Sequence, residues 1–457
     1  MNNAFYIYNA LIVNENKRFH GALFINDGMI AEVFTGNAPT GYAFPEGTVW
    51  IDAKEKFLLP GIIDDQVHFR EPGLTSKGDL FTETRAAVAG GVTSFMDMPN
   101  TIPRAITLEI LEEKYVLAAQ KSLANYSFFL GASNDNLAEI EKADPARICG
   151  LKVFLGASTG NMLVDDPLIL EKLFERSPLL IAVHAEEESI IRKNLREFTE
   201  KFGENIPVSV HPLIRSEAAC FESSEKAVKL ARKSNARLHL LHLSTAKELQ
   251  LLRNDIPLAE KRITGEVCIH HLWFDDRDYN DLGSLIKWNP SIKTSHDREA
   301  MFDAVLNDTI DIIATDHAPH LTEEKQNPYL TCPSGGPLIQ HSLVAMLGFY
   351  HLGKISLEKI VDKMCHCPAI LYRINKRGYI RKGYFADVVL VDPDDPWTVS
   401  GENILYKCGW SPFEGVLFKS RVTHTWVNGF LVFNEGKFDV SVRGERLEFN
   451  RLVNSCP

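Results

Sequence analysis

Apolar runs recur through the middle of the chain, and helical patterns separate several of them. The runs lie near residues 57–64, 92–98, 126–131, 149–154, 178–184, 237–243, 263–270 and 309–316. The helical patterns lie at 82–89, 108–119, 167–176, 217–236 and 297–306. Short apolar runs that alternate with helices are typical of parallel strands buried on both faces. The middle of the chain therefore predicts an α/β fold, a (β/α)8 barrel of the TIM type.

The two ends of the chain follow a different pattern. Residues 4–52 contain short alternating runs with Asn26-Asp27-Gly28 as a turn, and residues 386–433 contain similar runs with Asn428-Gly429 as a turn. Alternation interrupted by Asp-Gly or Asn-Gly is typical of β-hairpins. We therefore predict a small discontinuous β-sandwich domain built from both termini, residues 1–56 and 378–457, with the barrel at residues 57–377.

Composition narrows the class of protein. The formal net charge is −11 with both signs interspersed, and no block of Lys and Arg favours a nucleic-acid partner. No stretch approaches the ~18 apolar residues of a membrane span, so we expect no membrane partner. The first residues do not resemble a signal peptide, and the scattered cysteines favour free thiols in a reducing compartment. We expect a cytoplasmic protein.

Polar side chains occur where the predicted strands end, and one of them, Lys152, lies inside its apolar run. They are Gln66, His68, Arg70, Asn100, Lys152, His184, His242, Asp316 and His320. Active sites of such barrels lie at the carboxyl ends of the strands. A single histidine at a strand end is more often structural, and Lys152 could be a surface lysine on a misassigned strand. Together, however, these residues predict one site at the barrel mouth, with segment 155–160 as a loop over it.

The chemistry of these side chains suits zinc. Histidine nitrogens and carboxylate oxygens are common Zn²⁺ ligands, and zinc makes water nucleophilic near neutral pH. Lys152 could bridge two metals only with an anionic head, such as a carbamate formed with CO₂. We interpret His239 as a core residue, and His270, His271 and His317 as residues that support the site rather than ligands.

Four segments resemble motifs of the dihydroorotases, within the amidohydrolase superfamily. They are His68-Phe69-Arg70-Glu71-Pro72-Gly73 and the segments 97–103, 287–290 and 314–320. The resemblance extends from about Ile51 to Asp392. It implies the reversible, zinc-dependent cyclisation of N-carbamoyl-L-aspartate to L-dihydroorotate in pyrimidine biosynthesis, by a homodimer. Related allantoinases and dihydropyrimidinases are not expected to combine Arg70, Asn100 and His320.

The resemblance also implies a role for each site residue. One zinc would be held by His68, Asp316 and Lys152, the last as N6-carboxylysine, and a second by Lys152, His184 and His242. The substrate carboxylate would be bound by Arg70, Asn100 and His320. The ring amide would be bound by Asn289, with backbone near 333–337. Asp316 would be the catalytic residue, taking a proton from the attacking water and delivering it to the ring nitrogen.

Gln66 stands where the family motif has a histidine ligand. A neutral carboxamide is a weaker zinc ligand than imidazole, so we expect this ligand position to be weak or vacant. Gln66 could coordinate weakly or leave room for a water, the site could hold one metal at Lys152, His184 and His242, or the chain could be a catalytically silent scaffold. We favour an active enzyme and two zinc ions over one. The remaining alternative is a hydantoinase- or allantoinase-like cyclic amidohydrolase.

Overall fold

The computed structural model describes residues 4–156 and 162–450, so most of the predicted loop at 155–160 lies outside the described residues. The strands are β1 (Phe5–Asn14), β2 (Lys17–Asn26), β3 (Met29–Thr35), β4 (Val49–Asp52), β5 (Phe57–Pro60), β6 (Ile62–Val67), β7 (Val92–Asp97), β8 (Asn125–Phe128), β9 (Leu130–Gly131), β10 (Leu151–Phe154), β11 (Ile181–His184), β12 (Leu238–Leu240), β13 (Ile263–Cys268), β14 (Ile312–Ala314), β15 (Val388–Asp392), β16 (Trp397–Thr398), β17 (Leu417–Phe418), β18 (Arg421–Val427), β19 (Phe430–Asn434) and β20 (Lys437–Phe438).

The helices lie mainly between the central strands. They are α1 (Leu80–Ala89), α2 (Leu108–Lys121), α3 (Leu137–Ile140), α4 (Pro167–Arg176), α5 (Glu188–Phe202), α6 (His211–Ile214), α7 (Glu217–Ser234), α8 (Ile269–Trp273), α9 (Tyr279–Leu282), α10 (Ser295–Leu306), α11 (Thr322–Lys325), α12 (Ser342–His351), α13 (Leu357–Val361) and α14 (Cys367–Tyr372). Polar caps mark their ends: the Asp79 carboxylate accepts from the amides of Phe81 and Thr82 at the start of α1. In the described part of the chain, no helix has the length and apolar character needed to cross a membrane.

The central strands form the predicted barrel. Strands β6 to β8 pair side by side in one parallel sheet, and β9 to β14 pair in a second. Only Phe129 separates β8 from β9, and we count these two segments as one barrel strand. The first and last strands meet through the backbone amide of His68, which donates to His317 O at 2.7 Å. Eight parallel strands thus surround one core, and the predicted fold class is confirmed.

The chain ends share one nine-stranded sheet, in the order β20-β19-β18-β15-β5-β1-β2-β3 with β4 beside β1. Its N-terminal and C-terminal parts meet where β5 pairs antiparallel with β15. The apolar run that we predict near 57–64 therefore divides between two sheets, with β5 in the terminal sheet and β6 in the barrel. The domain boundaries at 56/57 and 377/378 stay a prediction.

Candidate metal and substrate site

The carboxyl ends of the barrel strands enclose a cavity of about 80 Å³. Every predicted site residue except His320 lines it: Gln66, His68, Arg70, Asn100, Lys152, His184, His242, Asn289 and Asp316. The fold therefore brings together residues that lie far apart in sequence. Their individual roles stay predictions.

Three of these residues have backbones in the left-handed region. The φ angles are 68° at Arg70, 38° at His242 and 47° at Asp316. Residues other than glycine rarely adopt this conformation, and it persists only where the surrounding structure holds it. Each of the three follows a barrel strand, so the backbone turns sharply just where the side chain must enter the mouth. Such strain is typical of functional sites.

Two histidine rings converge inside the cavity. His184 Nδ1 lies 3.0 Å from His242 Nε2. Burial lowers the pKa of both imidazoles, so both are neutral near pH 7. Two neutral imidazoles whose ring nitrogens lie this close together can serve as ligands of one metal ion.

A carboxylate that we did not predict fixes the first of these rings. Glu186 Oε2 lies 3.1 Å from His184 Nε2 and forms an ion pair with Arg215. Burial opposes ionisation of Glu186, but Arg215 and His184 outweigh it and lower its pKa to about 2. An anionic partner on the far nitrogen orients a histidine ligand and increases its basicity. The only sequence signal was the position of Glu186, two residues after His184.

Lys152 is fully buried at the centre of the site. Its side chain is 1% exposed, and no described carboxylate lies within ion-pair distance of its Nζ. Burial lowers the pKa of this amine to about 7, although the charges of Asp316 and Glu266 oppose the shift. A large fraction of the amine is therefore neutral and nucleophilic at pH 7, the form that combines with CO₂.

Asp316 contacts two further polar side chains of the site. His68 Nε2 lies 3.2 Å from Asp316 Oδ1, and Gln66 Nε2 donates to the same oxygen at 3.2 Å. The Gln66 carbonyl oxygen faces away and accepts from Cys268 Sγ at 3.7 Å. Gln66 therefore directs its N–H donor at Asp316 Oδ1. Its carbonyl oxygen does not face that atom. The opposite ring nitrogen of His68 lies 2.7 Å from Asn100 Oδ1.

Arg70 places a buried cation beside this cluster. Its Nε donates to Pro319 O at 3.0 Å, and its Nη2 lies 3.0 Å from His320 Nε2. Burial lowers its pKa to about 10, so the guanidinium stays charged at neutral pH. Within the described residues no carboxylate is close enough to form an ion pair with it. His320 does not line the cavity itself but contacts two residues that do, through the Arg70 guanidinium and through Ser334 O, which lies 3.1 Å from its Nε2.

Asn289 also lines the cavity. Its Oδ1 is buried and has no hydrogen-bond partner among the described residues. Lys325, which sequence patterns did not single out, holds the adjacent loops. Its buried Nζ donates to the carbonyls of Lys287 at 3.3 Å, Pro333 at 3.1 Å and Gly335 at 2.8 Å. The orphan amide oxygen is thus held in place, ready for a donor on a bound molecule.

Gly335 permits the close approach of this loop. Its φ is 125°, and a Cβ there would lie 2.6 Å from Ala318 O. A larger residue would push the loop off the cavity wall.

The other histidines lie around the site. His239 Nε2 is 3.1 Å from Glu266 and 3.4 Å from Asp65, and the three side chains form a tight buried group. Burial favours neutral His239, but hydrogen bonds to Asp65 and Glu266 outweigh it and raise its pKa to about 9. His239 is therefore largely protonated, and burial and the charge of Asp65 raise the pKa of Glu266 to about 8, so protons compete with a metal for this group. His317 Nε2 lies 2.8 Å from Glu83, and its Nδ1 accepts from the Leu338 amide at 3.0 Å.

Comparison with known proteins identifies the family to which this architecture belongs. Residues 57–432 match the model of the amidohydrolase family. A dihydroorotase of Halobacterium salinarum is 32% identical over 379 residues, which cover 81% of this chain and 85% of the relative. A dihydroorotase of Methanosarcina acetivorans is 29% identical and covers 97% of this chain and 95% of the relative.

Solved structures agree on the fold. An L-hydantoinase (dihydropyrimidinase) from Arthrobacter aurescens superimposes with a TM-score of 0.89 at 24% identity, covering 95% of this chain and 97% of that one. A dihydropyrimidinase from Brevibacillus agri superimposes with a TM-score of 0.85 at 24% identity, covering 98% and 100%. The chain therefore belongs to the amidohydrolase family and is a relative of its dihydroorotases.

Proposed function

We propose that this protein is a dihydroorotase, a hydrolase that interconverts L-dihydroorotate and N-carbamoyl-L-aspartate. Its curated relatives with that name align over most of the chain. The observation that carries the substrate assignment is Arg70, a buried cation that faces the cavity without a carboxylate partner among the described residues. Dihydroorotate and N-carbamoyl-L-aspartate carry the carboxylate that such a guanidinium binds, whereas hydantoin and allantoin do not.

Members of the amidohydrolase family generally bind a metal, and the donor set at this mouth fits one. We propose that His68, Asp316, His184, His242 and carboxylated Lys152 would hold zinc, with two ions favoured over one. The convergent ring nitrogens of His184 and His242 support this assignment. Bound zinc would supply Lewis acidity, which polarises the amide carbonyl and lowers the pKa of water.

The protein residues supply binding and proton transfer. Arg70 binds the substrate carboxylate and sets the ring in the cavity, while Asn289 Oδ1 accepts from a ring N–H. Asp316 accepts the proton of the attacking water and returns it to the departing ring nitrogen. Gln66 donates to Asp316 Oδ1 and so orients this carboxylate, without being required as a ligand.

A substrate panel tests the proposal. Purified protein loaded with zinc and bicarbonate is assayed with L-dihydroorotate, hydantoin and allantoin. We expect turnover of dihydroorotate. Turnover of hydantoin or allantoin alone would assign the other cyclic amidohydrolase activity. A folded, zinc-loaded protein that turns over none of the three would support a scaffold role.

Arg70→Gln is expected to weaken use of the substrate. Loss of a charge-assisted hydrogen bond costs about 1.5–3 kcal/mol, so kcat/KM for dihydroorotate should fall by about 10- to 100-fold, mainly through KM. Steady-state kinetics measure this. The control is Arg196→Gln, an exposed arginine on α5 that should behave as the wild type. A variant at Arg70 with unchanged KM contradicts its assigned role.

Gln66→His is expected to strengthen zinc binding. If Gln66 only donates to Asp316, an imidazole in its place adds a ligand and tightens the weaker zinc position by about tenfold or more. Zinc per chain is measured after dialysis against buffered free zinc. Gln120→His, which adds a histidine at an exposed position, controls for adventitious binding. Equal zinc content in the wild type and Gln66→His would refute this role for Gln66.

Two further assignments accompany this proposal. We propose that the protein is a homodimer, which sedimentation of the purified chain tests. We also propose a cytoplasmic location, since the described cysteines are free and buried.

A further inference from the structure

A second, larger cleft lies at the opposite end of the barrel. Its volume is about 640 Å³. It is bordered by the segments that precede β10, β11, β12 and β13, together with the end of α14. This size is typical of small-molecule sites. The amino end of such a barrel normally contributes to stability rather than catalysis, so the side chains here need a separate explanation.

Three arginines converge on this cleft. Arg237 immediately precedes β12 and Arg262 immediately precedes β13, and the parallel register pairs Leu238 with Ile263. The two arginines therefore start from neighbouring strands at the same level. Arg373 follows α14 and lines the same cleft. Burial, together with the charges of Arg373 and Arg262, lowers the pKa of Arg237 to about 10.

Two of these arginines also stabilise the fold by capping helices. A nitrogen of Arg237 donates to Leu371 O near the end of α14, and a nitrogen of Arg262 donates to Asn235 O at the end of α7. Each contact uses one donor nitrogen, and a guanidinium has five N–H donors. Among the described residues, capping explains one contact of Arg237 and one of Arg262, and it leaves most of their N–H donors for other partners.

The charges on the cleft wall are unbalanced. Within the described residues, none of the three arginines has a carboxylate within ion-pair distance. Lys142, also on the wall, pairs with Glu139 at 2.9 Å. Two carboxylates, Asp144 and Glu175, line the cleft as well. Water screens part of the repulsion between these guanidinium groups, since Arg262 is exposed, and an anion bound between them would relieve it further.

Apolar side chains also border the cleft, beside polar residues such as Ser177, Asn235 and Asn450. Phe174, Leu179 and Phe449 are buried side chains that line the cleft. A ligand that combines a compact anion with an apolar or aromatic body would contact both parts. Forked guanidinium donors match the oxygens of phosphate particularly well.

We propose that this cleft is a binding site for the phosphate group of a small phosphorylated molecule. The site is separate from the barrel mouth, so it is an additional site and not part of the proposed catalytic one. Arg262 and Arg373 contact the phosphate with Arg237, and Phe449 packs against the organic part.

Calorimetric titration of the zinc-loaded full chain tests the proposal. The probes are uridine 5′-monophosphate, uridine and inorganic phosphate. We expect the monophosphate to bind and uridine not to bind. Arg262→Gln and Arg373→Gln should each weaken that binding by about tenfold or more. Both should keep the wild-type kcat for dihydroorotate, because the cleft is remote from the site residues. Tighter binding of the monophosphate than of inorganic phosphate would assign a phosphate ester as the ligand, and equal binding would assign the free ion.

Several results would contradict the proposal that the cleft is a phosphate-binding site. They are absence of binding by both phosphate-containing probes, equal binding of uridine and its monophosphate, and wild-type affinity in both arginine variants. Arg196→Gln serves as the control for general loss of positive charge. Since Arg262 is exposed, its substitution should not unfold the chain, and circular dichroism checks this. If the monophosphate bound only at the barrel mouth, Arg262→Gln would not weaken its binding. That result would also contradict the proposed cleft site.

Discussion

Lys152→Ala is expected to lose both zinc and activity. Lys152 is buried between the histidine pair and Asp316, and no described carboxylate within ion-pair distance neutralises it. If its carboxylated form bridges two metals, truncation removes a ligand from each. Metal activation of water contributes several kcal/mol, so kcat/KM should fall by at least about 1,000-fold. Zinc per chain and steady-state kinetics are measured on the same preparation.

Two comparisons separate metal loss from general damage. Lys363→Met removes another buried lysine, which pairs with Asp308 away from the mouth, and it should keep its zinc. Short carboxylic acids added to Lys152→Ala should restore part of the zinc binding, since they replace the missing anionic head. A Lys152→Ala protein with wild-type zinc content would defeat the bridging role.

Asp316→Asn is expected to lower kcat by about 10²- to 10⁴-fold, the usual contribution of a positioned proton acceptor. Asparagine keeps the shape of the side chain and can still face Gln66 and His68, but it cannot accept the proton. The loss should appear in both reaction directions, because the same carboxylate takes the proton in one and returns it in the other. Kinetics with dihydroorotate and with N-carbamoyl-L-aspartate measure it.

The zinc content of Asp316→Asn shows whether its loss of activity comes from loss of zinc or from loss of the proton acceptor. We expect the zinc at His184 and His242 to remain, since these ligands are unchanged. Asp281→Asn, an exposed carboxylate on α9, is the matched control and should have wild-type kinetics. If Asp316→Asn retains its kcat, another group must transfer the proton.

Local patterns predicted most of the architecture for a simple physical reason. Burial on both faces makes parallel strands continuously apolar, and this property is visible in short windows of sequence. Parallel strands in a closed barrel also end at one mouth, so Gln66 and Asp316 could be assigned to one site although they lie 250 residues apart. The exception is the run near 57–64, because β5 and β6 are both apolar and only pairing distinguishes the sheet that each joins.

The arrangement of side chains within the site could not be predicted in the same way. His320 follows a strand end as the other site residues do, yet it does not line the cavity itself. Glu186, Arg215 and Lys325 gave little or no periodic signal, because each acts through a contact with a segment distant in sequence.

By itself, the sequence determined the barrel, the terminal β-strands and the set of residues at the mouth, because hydrophobic period and strand direction are local properties. Only the tertiary structure decided that Gln66 donates to Asp316, that two histidine nitrogens converge, and that Arg237 and Arg262 lie side by side at the other end. Those features depend on how separate strands are placed in register, and no single stretch of sequence contains that information.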